Sequence, residues 1–338
     1  MFNDANELKK DALDKKVESE RKRWVIKNKF RSLFFGSADK RGFVANSVIY
    51  FLLISIGFIY LYPLLHMLST SLMSLPDLLD TSVRWVPSTF YTNNFRDAFL
   101  VMNFWETLIR HFIIAASPAL LQTAMCSLTA YGFARFKFRG KTLLMGIMLL
   151  TFVIPPQILM MPTFLLYTDL GLIGSLYAFT LPALLGQGLQ SAVMILIFYQ
   201  FYKPIPDALL EAAEIDGASQ LRIYWSLGIR SALPAIIVVF TFSFVFYWNE
   251  TYLTNLFLGN RVGGASTEWT TLLIQLERFQ ASYEAFFPAG TGGSSGNRLN
   301  EAISFSGTLL TIAPLVLLAG FLQKYLVESI DGAGITGE

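Results

Sequence analysis

The sequence predicts an all-α integral membrane protein with six transmembrane helices, and three observations carry that reading. First, 338 residues that are 54% hydrophobic and 15% charged, with a mean hydropathy of +0.49, exceed the apolar content of a soluble domain of this size. Second, the excess is gathered into six runs, each close to the roughly 20 residues that a helix needs to cross the hydrocarbon. Third, the runs are continuous rather than alternating, which excludes a transmembrane β-barrel.

Residues 1–43 form a polar head. Twelve basic residues, from Lys9 to Arg41, outnumber the acids there, and no apolar core precedes a cleavage site, so the segment is not a signal peptide. It reads as a cytosolic tail. Around Trp24-Val25-Ile26 two readings stand, an amphipathic helix lying on anionic headgroups or a solvated tail.

The six runs fall at about 44–67, 108–133, 142–166, 176–200, 232–254 and 303–323. Pro155-Pro156 and Pro162 lie in the third and Pro182 in the fourth; prolines in membrane helices predict bends packed against protein, where neighbours satisfy the freed carbonyls. Between the runs, residues 68–107 and 255–302 are too long for connectors and predict docking segments. The tract Gly290-Thr291-Gly292-Gly293-Ser294-Ser295-Gly296 has too little apolar content to fold alone, and without a following Lys-Ser/Thr it is not a phosphate-binding loop.

Charge orients the chain. With the amino end inside, twenty of the 26 basic residues fall on cytosolic segments, leaving Arg84, Arg96, Arg110, Arg261, Arg278 and Arg298 outside. That asymmetry is the positive-inside pattern. It places both termini and residues 203–230 in the cytosol.

Within 203–230, the stretch 205–217 is a long polar interruption. Pro206 suits the first turn of a helix, Asp207 its positive end, and Gly217 its stop. Asp207, Glu211 and Glu214 recur at i, i+4, i+7 as an acidic stripe, beside a small apolar stripe of Ala208, Ala212 and Ile215. Such a helix is either an ordinary amphipathic surface element or a socket for a partner whose backbone approaches the small residues while Arg or Lys meets the carboxylates.

The residues Glu211-Ala212-Ala213, Asp216-Gly217 and Leu233-Pro234 resemble the EAA loop of ATP-binding-cassette importer permeases. Tyr131-Gly132-Phe133-Ala134-Arg135-Phe136-Lys137-Phe138-Arg139-Gly140-Lys141, Ile154-Pro155-Pro156, Leu170-Gly171-Leu172, Trp248-Asn249-Glu250 and Asp331-Gly332-Ala333-Gly334 are similar, in type and order, to the carbohydrate permeases of maltose-type systems. Arg230 departs from the pattern, standing where family members usually carry a proline. The resemblance implies a type I importer permease fold over residues 44–325, a coupling loop at 203–230, an extracytoplasmic loop at 255–302 and a cytosolic tail at 326–338. It also implies a heterodimer with a second permease, two copies of a cytosolic ATPase that bind ATP and magnesium, and an extracytoplasmic sugar-binding protein in a bacterial cytoplasmic membrane. Glu211, Ala212, Ala213, Asp216 and Gly217 would then couple to the ATPase.

Tyr247, Trp248, Asn249 and Glu250, near the outer end of the fifth run, are candidates for the substrate path, since aromatic faces and carboxylates suit sugar C–H surfaces and hydroxyls. An interfacial aromatic belt with a solvated Glu250 accounts for them equally. His66 and His111 read as interfacial packing, Cys126 cannot form a disulfide within the chain, and no metal set, catalytic triad, nucleotide motif or nucleic-acid signature is present. An ion-coupled secondary transporter, with Glu250 or Asp169 titrating, is the alternative function.

Overall fold

A computed structural model describes residues 36–37, 40–259, 269–288 and 298–334. The basic tail up to Phe35 and the 290–296 tract therefore lie outside the described residues. The chain divides into two compact units, 1–67 and 68–338. In the first, Gly36–Ser37 (β1) and Lys40–Arg41 (β2) pair antiparallel before helix α1, Phe43–Ser71, where Tyr62 stacks on His66 with ring centroids 6.4 Å apart.

The second unit is helical among its described residues. Two short helices, α2 (Leu75–Leu79) and α3 (Asn93–Val101), lie in the first long loop. Asp77 holds that loop, accepting from the Ser88 backbone amide at 3.2 Å and from the Ser88 hydroxyl. The hydroxyl bond is the largest of the contributions that depress the Asp77 pKa below the usual carboxylate value. Asn94 is buried and donates to the carbonyls of Ser71 and Met73 at 2.9 and 2.8 Å.

Around the central helix α4 (Phe104–Arg135) the core assembles. Ala115, Ala119, Cys126 and Ala130 are fully buried at helical spacing along it, and small side chains there let neighbouring backbones approach closely, as membrane helix packing requires. Among the described residues three helices are long and apolar enough to cross a membrane, Phe43–Ser71, Phe104–Arg135 and Glu301–Lys324, and the total reaches six if each of three bent helix pairs is one span. The last belongs to a helix that continues to Gly334, through most of the expected 326–338 tail.

The middle runs are broken rather than continuous. The third splits into α5 (Lys141–Val153) and α6 (Pro156–Asp169), bent by 97°. Ile154 and Pro155 each precede a proline and both are extended, with ψ of 119° and 128°, because the following ring excludes the α region. Neither helix buries a residue fully, but Met148 of α5 and Phe164 and Tyr167 of α6 pack half-buried against the core. The fourth run is α7 (Tyr177–Leu184) and α8 (Ser191–Tyr202). At 1.5 Å per residue these reach about 12 and 18 Å, and only together do they approach the hydrocarbon thickness of about 30 Å.

After α8 come α9 (Asp207–Ile215) and α10 (Gln220–Ser231), the latter with a π-helical turn at Tyr224–Gly228. α10 meets α11 (Leu233–Asn249) at a 79° bend. Arg230 is helical, and Pro234 lies in the first turn of α11, two residues beyond the bend at Ala232. α12 (Tyr252–Phe257), α13 (Leu272–Glu277), α14 (Phe279–Phe286) and α15 (Glu301–Gly334) complete the unit.

Candidate functional site

Two places gather the residues singled out by sequence. The first is α9. None of its residues is buried, and Ile215 is 86% exposed. Its end is a capped stop: Gly217 has φ +78°, its amide donates to Glu214 O at 2.9 Å, and the Ala218 amide donates to Ala213 O at 3.0 Å. This pair of bonds is the Schellman arrangement, which requires the left-handed residue that glycine supplies. Asp216 is the residue before it, its amide bonded to Ala212 O at 3.0 Å. Glu214 accepts from Gln220 Nε2 at 2.5 Å. Glu211 and Ala212 are exposed and Ala213 half-buried, and Glu211 forms no hydrogen bond or ion pair among the described residues. The exposed Leu209, Leu221 and Trp225 on α9 and α10 add apolar surface that the stripe pattern did not single out.

The second place is the break between α7 and α8. Gly186 and Gln190 adopt φ +73° and +56°, and the backbone passes so close to α4 and α11 that a Cβ on Gly188 would lie 2.3 Å from Gln122 Oε1 and 2.5 Å from Tyr247 Oη. Broken backbone at membrane depth must be satisfied by protein, and here side chains do it. Gln122 Nε2 donates to Leu189 O at 2.6 Å, the Leu189 amide donates to Tyr247 Oη at 3.1 Å, and Tyr247 Oη donates to Gln122 Oε1 at 2.9 Å. Beside this closed triangle lies a cavity of about 690 Å³, lined among others by Thr129, Thr151, Gln187, Gln190 and Tyr247.

A model of the family described as "binding-protein-dependent transport system inner membrane component" matches residues 124–332, more than half of the chain, including α9 and the α7–α8 break. The chain belongs to this family. This inner membrane component is 26% identical over 283 residues, 84% of its length and 95% of the relative's, to the polygalacturonan/rhamnogalacturonan transport system permease protein YtcP of Bacillus subtilis (strain 168). It is 26% identical over 285 residues, 83% and 93% of the two chains, to the arabinooligosaccharides transport system permease protein AraQ of Halalkalibacterium halodurans. Over 288 residues, 83% and 89%, it is 28% identical to the osmoprotective compounds uptake permease protein GgtD of Synechocystis sp.. Its fold superposes on a crystal structure of a bacterial ABC transporter involved in the import of the acidic polysaccharide alginate, with TM-score 0.71, 22% identity, and 83% of this chain and 96% of that one covered.

Of the four candidate path residues in this transport component, two face the core and two serve helix ends. Tyr247 belongs to the triangle. Trp248 is buried and stacks on His111 at 3.9 Å between centroids, its carbonyl accepting from His111 Nε2 at 3.0 Å. His111 is thus fully buried within the protein. Asn249 Nδ2 donates to Val245 O at 2.9 Å, and Glu250 Oε1 accepts from the Leu253 amide at 2.8 Å at the start of α12. Sequence reasoning missed Gln122 and Gly188, which lie 66 positions apart; a glutamine inside an apolar run was the available signal, since buried amides require partners.

Proposed function

We propose that this chain is one of two permease subunits of an ATP-driven, binding-protein-dependent importer of a sugar or oligosaccharide, with α9 as the seat of a separate ATPase. The observation that carries the reading is an exposed, rigidly capped helix whose Glu211 carboxylate has no partner among the described residues, in a chain of this family. Two ATPase copies bind ATP and magnesium, a second permease completes a heterodimer in the lipid bilayer, and an extracytoplasmic binding protein delivers the substrate. Both termini are cytosolic. The chain itself supplies no ATPase chemistry. The sugar class rests on the names of YtcP and AraQ. The ion-coupled alternative, with Glu250 or Asp169, loses support because the chain's family and the names of its relatives are those of binding-protein-dependent transport permeases.

The test compares Glu211→Ala with Glu214→Ala in the assembled transporter. A charge-assisted bond donated to Glu211 by an arginine in a partly desolvated cleft contributes about 1.5–3 kcal/mol, against about 0–1 kcal/mol for an exposed pair. Glu211→Ala therefore releases the ATPase or uncouples hydrolysis from uptake, while Glu214→Ala, which loses a bond to Gln220, is milder. Small, equal effects on uptake and on ATPase co-purification would reduce the stripe to a solvated face.

A further inference from the structure

Arg135 is the last residue of α4, yet its side chain is only 7% exposed. The two terminal nitrogens of its guanidinium bond the chain that leads into α9, while Nε is buried without a hydrogen-bond partner among the described residues. Nη2 donates to Ile205 O at 2.7 Å and to Tyr202 O, and Nη1 donates to Asp207 Oδ1 at 3.2 Å. Tyr202 ends α8 and Asp207 begins α9, so one side chain joins three helices. The carbonyls at the end of a helix have no partner within it and carry partial negative charge, which a guanidinium complements. Between the two helices, Pro204 and Pro206 fix φ and remove two amide donors. The link is therefore stiff. Tyr202 is tied to α4 a second time, through its hydroxyl and Ser127 Oγ, 2.6 Å apart.

We propose that Arg135 is a positioning residue for transport: it straps the start of α9 to the end of α4, so that displacement of α9 by the ATPase reaches the centre of the membrane bundle. The inference rests on the reading of α9 as the ATPase seat. It names Arg135, rather than the exposed carboxylates, as the residue through which docking becomes movement. Lysine is a poor substitute, because a compact ammonium on a flexible stem lacks the planar fork that spans several acceptors.

Cys126 offers a reporter within the same helix. It is fully buried, lies about two and a half turns before Arg135, and its Sγ sits 3.8 Å from Ser191 O at the start of α8. The experiment uses the complete transporter in membrane vesicles and follows maleimide labelling of this chain's Cys126 by peptide mass, with and without Mg-ATP. With the native chain the ATPase co-purifies and Mg-ATP changes the labelling rate roughly fivefold or more, in the range of allosteric couplings. With Arg135→Gln the ATPase still co-purifies but labelling no longer responds to Mg-ATP, and Arg135→Lys restores part of the response. A merely structural arginine would lower the yield of complex without abolishing the response of what assembles. A native-sized response in Arg135→Gln overturns the strap, as does a native chain whose Cys126 ignores Mg-ATP while the ATPase stays bound. Should Arg135→Gln fail to assemble, Arg135→Lys is read in its place, and a native-sized response there overturns the proposal. Failure of the native chain to retain the ATPase at all would instead remove the ATPase-seat reading, and the strap with it.

Discussion

At Gly217 a side chain would meet nothing within 4 Å, so substitution is opposed by the backbone angle of +78° alone. That opposition is about 1–2 kcal/mol for an ordinary L-residue in the left-handed region and greater for a β-branched one, while asparagine enters the region more readily. Gly217→Val should open the amide bonds from Gly217 and Ala218 and loosen the end of α9, whereas Gly217→Asn should keep them. Hydrogen exchange at the Ala218 amide is expected to accelerate in the valine variant and stay near native in the asparagine variant, with uptake falling in the same order. Equal exchange in the two variants would show that φ does not govern this cap. The glycine was readable in the sequence because a stop signal is local. Arg135 was not, since its acceptors lie about 70 positions away and none of them is a side chain except Asp207.

Among the elements, the six runs were legible because burial in lipid demands length and apolarity, which hydropathy measures directly. Their breaks were only half legible. Pro155-Pro156 announces its own bend, since each proline restricts its predecessor, but the α7–α8 break depends on what α4 and α11 present to it. The space where a Cβ on Gly188 would stand is occupied by the side-chain ends of Gln122 and Tyr247. Gly188→Ala must push one of those hydrogen-bonded side chains aside, at about 1–3 kcal/mol by the usual scale of overpacking. The purified protein in detergent is expected to unfold several degrees lower than native, and the double variant Gly188→Ala, Gln122→Ala should not add the two separate losses, because both act on one triangle. Strict additivity would mean that the triangle is not a unit. The same dependence on neighbours explains Glu250: its role at the start of α12 follows from a helix that the 232–254 run concealed.

For the whole molecule, the family and the helix count were carried by many short signals in the right order, but orientation rests on charge. Twenty of 26 basic residues fall on one side of the membrane when residues 1–43 and 203–230 share it. Each misplaced lysine or arginine costs insertion free energy, so the arrangement with the amino tail and α9 inside should prevail. Labelling of single cysteines decides it. With Cys126 replaced, cysteines are introduced one at a time at Ser19, at Ser82 in the first long loop, and at Ser219, which is exposed and caps α10 through its hydroxyl on the Arg222 amide at 3.4 Å. In intact cells a membrane-impermeant maleimide should reach Ser82→Cys and leave Ser19→Cys and Ser219→Cys unmodified until the membrane is opened. Modification of Ser219→Cys from outside would put α9 on the face where no ATP is available, and the reading of Glu211 as an ATPase contact would fall with the topology. Modification of Ser19→Cys alone would instead sever the tail from that argument, leaving α9 inside on the strength of the seven basic residues Arg135, Lys137, Arg139, Lys141, Lys203, Arg222 and Arg230 that bracket it.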